Sequence, residues 1–303
     1  MLTLLEAAKL TQDPLARGVI EIFPSVSPVL ERLPFFDVNG MAYKYNSEQT
    51  LPGIAFRNVN ESYTESTGVI NPGIEALYIL GGISKVDRAL VKTQGNVNDL
   101  RSIYDGMKAK SAALTFTKNF FKGDNETSPE EFDGLERRLT GSQKIAAGST
   151  SGGDELTLDM IDQLIDAVQG GPDVLFMNKT MRRKINKLVR AASQAQETVS
   201  DSFGRQISAY AGVPIGIIEN DKDGSAILPF TEDNPGGGTA ASTSLYAVRF
   251  GVAENVCGLQ SGPMDVEDLG LNRTFYETLI EWICGLGVFH PKAAARLYGV
   301  KNA

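Results

Sequence analysis

VLFMN at residues 174–178 runs directly into KTMRRKINKLVRAAS at 179–193, and GVPIGIIEN follows at 212–220. The first piece is short and apolar, which suits a buried strand better than a helix. Asn178 ends it, and an asparagine in that place can accept hydrogen bonds from the free N–H groups of a following helical turn. In 179–193, Met181, Ile185, Leu188 and Val189 recur at helical spacing and predict one apolar side. GVPIGIIEN reads as a further strand. A strand, a capped helix and another strand in this order predict a mixed α/β unit.

Working outward, DMIDQLIDAVQ at 159–169 places Met160, Ile161, Leu164, Ile165 and Val168 on one helix face, with Thr157 as its N-cap. SLYAVRFG at 244–251 is another strand, preceded by a loose DNPGGGTAAS. The run Gly236 to Gly238 lacks the Lys and Ser/Thr of a phosphate-binding loop and reads as flexible. Residues 155–255 are therefore expected to form one compact unit.

The clearest helix is 97–122, where Leu100, Ile103, Tyr104, Met107, Leu114, Phe120 and Phe121 recur near the helical period and Gly123 marks the stop. Its reach, about 39 Å, suits a spine. The polar stretch 123–154 reads as a surface excursion. Before the spine, MAYKYN (41–46), GIAFRNV (53–59) and IEALYIL (74–80) have strand chemistry, separated by LPG, STG and NPG, and predict a long decorated hairpin. Pro24, Pro28 and Pro34 within VIEIFPSVSPVLERLPFF deny residues 19–36 a long helix and predict an extended arm. The tail, PMDVEDLG, RTFYETLIEWICGLGVFHP and AAARLYGVK, reads as antiparallel strands returning to the spine.

A chain of 303 residues with 42% hydrophobic composition can bury a sizeable core. Its net charge of -8 argues against a dedicated nucleic-acid binder or membrane-surface protein. The N-terminus carries Glu6 and Asp13 within an amphipathic pattern, unlike a secretory signal, and no run reaches the roughly 18 apolar residues of a membrane helix, so a soluble protein is expected. Cys257 and Cys284 read as reduced thiols. A single histidine, His290, leaves no zinc spacing and no Ser/His/Asp set, so neither catalytic residues, metal nor cofactor is expected. His290 and Trp282 are read as structural. Glu219, Asp221, Asp223 and Gly224 begin a calcium-loop spacing, but Phe230 stands where the bidentate glutamate belongs, so a solvated turn is the better reading.

The order of arm, extended loop, spine ending in FFKGDNE, the segment with VLFMN and GVPIGIIEND, and the closing TFYETLIEWICGLGVFHPKAAARLYGV resembles the major capsid proteins of tailed bacteriophages. That fold is shared with encapsulins and the herpesvirus capsid floor. The resemblance spans nearly the whole chain. It implies an α+β (mixed α/β) capsid fold with an N-terminal arm at 1–39, an extended loop and start of the peripheral domain at 40–92, and spine helix with peripheral domain at 93–154. An axial domain at 155–255 and return strands of the peripheral domain at 256–303 complete it.

It further implies a non-enzymatic subunit that self-assembles as pentamers and hexamers into an icosahedral shell around double-stranded DNA, in the virion capsid and, during assembly, in the host cytoplasm. Scaffold, portal and cement proteins are the implied partners, with only non-specific proximity to DNA and no membrane. The chain starts at the arm, without the N-terminal scaffolding region of some relatives, so scaffolding is expected to be separate or unused. The rival readings are an encapsulin-like compartment holding protein cargo and a soluble α/β hydrolase. Ile54, Phe56, Arg57 and Tyr63 in the loop and Ile22 and Phe23 in the arm are the expected intersubunit contacts. Lys179, Arg183, Lys187 and Arg190 share one helix face, read first as a solvated basic face, with nucleic acid or an acidic neighbour as the alternatives and no sequence-reading motif.

Overall fold

A computed structural model describes residues 27–93, 97–149, 151–192, 197–200, 206–232, 234–236 and 241–302. Its α-helices are α1 (Pro28–Arg32), α2 (Arg88–Thr93), α3 (Val97–Lys122), α4 (Leu135–Arg138), α5 (Leu158–Asp166) and α6 (Lys179–Ala191). Its strands are β1 (Phe35–Asp37), β2 (Ala42–Thr50), β3 (Val69–Ala76), β4 (Tyr78–Asp87), β5 (Lys144–Ala146), β6 (Val174–Asn178), β7 (Glu197–Ser200), β8 (Gln206–Tyr210), β9 (Val213–Ile218), β10 (Ser242–Val248), β11 (Val256–Gln260), β12 (Asp265–Asn272), β13 (Phe275–Val288) and β14 (Ala294–Lys301). The expected arm contacts Ile22 and Phe23 lie outside the described residues.

Three sheets organise these strands. In the seven-stranded sheet, ordered β5-β14-β10-β6-β9-β8-β7, every residue of β6 is buried, as a central strand covered on both faces must be. The Asn178 side chain accepts from the Met181 N–H at 2.9 Å, and Thr157 caps α5 by accepting from Met160 N–H at 3.3 Å. Met181, Ile185 and Val189 of α6 and Ile161 and Leu164 of α5 pack into one cluster with Leu175, Met177 and Ala247. This part matches its sequence reading closely.

The second sheet runs β1-β11-β13-β12, with β4 on the free side of β13. Spine α3 crosses it, burying Ala109, Ala113, Phe116 and Phe120. Small alanines let the helix axis approach the sheet, and beyond them Trp282 meets Phe116 and Phe35 at centroid distances of 5.2 and 5.1 Å. Trp282 is core, as its reading held. The first half of the spine differs from expectation: Ile103, Tyr104 and Met107 are exposed, because the sheet lies under the Asp105 and Ala109 side of the helix. Gly123 ends the spine for a reason other than left-handed backbone. A Cβ there would stand 2.1 Å from the Phe132 carbonyl, where the chain returns and Gly134 N–H donates to Gly123 O at 2.9 Å.

Three further expectations need correction. GIAFRNV is not a strand, since residues 51–68 contain none; the two sides of the loop are joined by side-chain hydrogen bonds and not by a backbone ladder. IEALYIL is divided at Leu77, its first part in β3 and its second in β4. The tail also divides. β11, β12 and β13 join the spine's sheet, whereas β14 pairs with β10 and β5 in the other, so 256–303 is not one returning unit.

A buried ionic group joins the two layers. Arg296 on β14, 2% exposed, donates to Glu136 Oε1 at 2.9 Å, to Glu232 Oε2 at 3.1 Å and to Ser244 Oγ at 2.9 Å. Lys122, the last residue of the spine, reaches Glu232 at 2.5 Å and also pairs with Glu136. The buried Arg296 and Glu232 thus neutralise one another out of water, and the half-buried Lys122 and Glu136 complete the group at its edge, as burial of charge demands.

Candidate assembly interface

Strands β2 and β3 form the third sheet by themselves, in register from Ala42↔Ala76 at the base to Thr50↔Val69. A lone two-stranded ribbon is marginal in water, so its direction must be fixed from its base. Tyr43 and Tyr45 of β2 set their rings edge-on to Phe289 at 5.7 and 4.7 Å, and Phe36 meets Tyr43 at 5.3 Å. On β3, the buried Glu75 takes a bidentate pair from Arg138 at 2.7 Å to each oxygen and a 3.4 Å hydrogen bond from the Tyr45 hydroxyl. Gly73 leaves room for the Tyr45 ring, since a Cβ would stand 2.5 Å from it. The hairpin is therefore braced at its root by an aromatic cluster and one fork-shaped ion pair.

Beyond the ladder, residues 51–68 hold a shape of their own. Ser66 Oγ accepts from Gly53 N–H at 2.5 Å and donates to Gly53 O at 3.1 Å, pinning the two sides together. At the tip, Asn58 N–H donates to Glu61 Oε2 at 3.0 Å, Arg57 donates to Glu61 O at 3.0 Å, and the Arg57 guanidinium lies 5.3 Å from the Tyr63 ring centroid. The apolar side chains gain nothing from this ordering. Ile54 is 96% exposed, Tyr63 is 66% exposed, and Phe56 is exposed completely. Burying one such side chain is worth about 1.5–3 kcal/mol, so the tip presents unused apolar surface on a pre-shaped support.

Ile54, Phe56 and Tyr63 lie exposed on one loop, with Arg57 against the Tyr63 ring. Lys179, Arg183, Lys187 and Arg190 are exposed on α6, with Lys179 paired to Glu219 at 2.7 Å. Lys44 sits near the hairpin base, in register with Ile74, and Lys85 lies on β4, where it pairs with Glu277 at 2.9 Å. Glu219, Asp223 and Gly224 are exposed, as a solvated turn requires, and Asp221 alone of the set is buried, paired with Lys118 of the spine at 2.9 Å. His290 Nδ1 accepts from Lys292 N–H at 3.1 Å within the turn before β14, a structural task. Cys257 and Cys284 are free and buried, and burial pushes the Cys257 thiol up to about 11 and Cys284 higher still.

Sequence reasoning missed the Glu75–Arg138 brace and the group around Arg296. Arg296 did leave a signal, as a lone charge inside the apolar AAARLYGV; Glu75 left none, because its partner is 63 residues away. Among the described residues, no three His, Cys, Asp or Glu side chains gather to hold a metal, and no helix is long and apolar enough to cross a membrane.

Comparison with known proteins bears on the family and the fold. The family model described as SU10 major capsid protein matches residues 108–301, and that of Major capsid protein GP7 matches residues 12–155. No curated protein matches the chain. Among solved structures, the holo-SrpI encapsulin complex from Synechococcus elongatus PCC 7942 is 17% identical, with a TM-score of 0.64 over 91% of this chain and 89% of that one. The capsid of a native GTA particle is 14% identical, with a TM-score of 0.66 over 91% and 90%. A chain from Mycobacterium phage Bobi is 14% identical, with a TM-score of 0.62 over 98% of both chains.

Proposed function

The chain belongs to the SU10 major capsid protein family, and from that premise we propose that copies of it close into an icosahedral shell of pentamers and hexamers around double-stranded DNA. It is a structural capsid subunit, built on a mixed α/β fold common to phage capsids and encapsulins. The observation that carries the assembly reading is the exposed set Ile54, Phe56 and Tyr63 on a hairpin whose root is fixed. Each copy offers that tip to a neighbour, and burial repeated around the shell adds many modest contacts into a stable whole. An acidic chain suits a lining that must let packaged DNA leave. The virion is its working place and the host cytoplasm its place of assembly, with scaffold, portal and cement proteins as further partners.

The encapsulin-like reading shares the fold and differs in contents. Both matching family models are those of major capsid proteins, which favours the genome-holding shell. Expressing the chain and imaging the product by electron microscopy tests the proposal. Closed particles of uniform size are expected; a protein that stays monomeric at high concentration overturns it. Particles isolated from their natural source should contain duplex DNA, and a protein cargo in its place would select the compartment reading.

A further inference from the structure

Helices α5 and α6 lie side by side on the seven-stranded sheet and drive their apolar sides into the same cluster. Their outer faces carry opposite charge. From α5 and the turn before it, Glu155, Asp159, Asp162 and Asp166 are exposed; from α6, Lys179, Arg183, Lys187 and Arg190 are exposed. Local partners account for Lys179, paired with Glu219, and for Asp162, which accepts from the Tyr210 hydroxyl at 2.8 Å. Arg183, Lys187 and Arg190, and likewise Asp159 and Asp166, have no ion pair among the described residues, whereas the charge of Glu155 acts on Lys184. Three cations and two carboxylates therefore remain unmatched on neighbouring parts of one chain.

We propose that the basic face of α6 on one copy docks against the acidic face of α5 on the next, head to tail, and that this charge match orders the copies around a capsomer ring. The proposal rests on the capsid reading above. Because the two faces are different patches of one chain, a match between copies is heterologous, the kind of contact that closes into a ring. A nucleic acid fits less well, since the acidic α5 beside the basic helix repels phosphate and α6 offers no aromatic platform. Rim charges of this kind steer encounter and fix register, and are weakened by salt.

Charge reversal of each face, separately and together, tests this. Arg183→Glu with Lys187→Glu, or Asp159→Lys with Asp166→Lys, should each lower the assembled fraction about tenfold at low salt, read by sedimentation and electron microscopy. The four substitutions combined recreate the match with its signs exchanged and should restore assembly. All three variants should keep the wild-type thermal unfolding of the unassembled chain, because these side chains are exposed. Unchanged assembly on reversing either face, or no rescue in the combined variant, overturns the proposal. Loss of non-specific duplex-DNA binding in the Arg183/Lys187 variant with assembly intact would make the face a nucleic-acid contact and overturn it equally. If wild-type chain assembles while the variants show no effect, this inference alone fails; if wild-type chain never assembles, both readings fall.

Discussion

The strand VLFMN and the loop tip of residues 51–68 are opposites in one chain. Each residue of the strand is buried between α6 and the spine's layer, whereas the tip keeps Ile54, Phe56 and Tyr63 in water on hydrogen bonds of its own. The first region is complete when the chain has folded. The second is ordered but unfinished, and its missing half must come from elsewhere. Folding and assembly are thus assigned to separate surfaces, so damage to one should be separable from damage to the other.

The strongest way to break that separation is inside the body. Arg296→Ala would leave Glu232 buried without its main partner, and it should cost about 3–5 kcal/mol of stability in chemical denaturation. A loss under about 1 kcal/mol would mean Lys122 alone neutralises the group. Next, replacing residues 51–68 by Asn-Gly, a turn that suits the Thr50↔Val69 register, should leave the unfolding midpoint of the unassembled chain unchanged while abolishing closed shells. Normal particles from that variant would remove the tip from assembly altogether.

A smaller effect is expected at Asp105, buried on the spine against the second sheet. Burial, the dominant influence, raises its carboxyl above the ordinary range, against opposing hydrogen bonds from Ser84 and Thr278 and the charge of Arg101, and with the nearby charge of Asp268 reinforcing the rise. A folded-state value raised above the unfolded one contributes stability on the acid side, fully present below the unfolded value and lost as pH climbs through the folded one. Asp105→Asn should therefore gain stability relative to wild type as pH climbs above the ordinary carboxylate range; a difference in melting temperature between the two proteins that does not change with pH contradicts the assignment. Least of all should change when mature particles are boiled in detergent with reductant. Covalent joining of copies through the loop would need a neutral amine there, but no lysine lies between Lys44 and Lys85, and Arg57 is too basic to act as one. One band at 32.6 kDa is expected, and a ladder of larger species would refute it.

What the sequence revealed follows the range of the interactions involved. The spine, the Asn178 and Thr157 caps and the buried faces of α5 and α6 depend on residues within a few turns, and all were legible. The sheet chosen by β14 depends on β10 and β5, about 50 and 150 residues earlier, and local alternation says nothing of that. Ile103, Tyr104 and Met107 were misread because their spacing is helical whichever side faces the core. At the tip, composition revealed which residues lack a home, but the brace that aims them, Glu75 with Arg138, is a long-range pair between ordinary surface residue types.

The place of β14 has a consequence for how the protein is made. This strand lies between β5 and β10 inside the seven-stranded sheet and brings Arg296 to Glu232. Until β14 has been made and has docked, that sheet stays open between β5 and β10, however well the spine has formed. A prematurely terminated fragment would keep its own hairpin and yet lack the closing strand, so incomplete copies should be left to proteolysis instead of entering a growing particle.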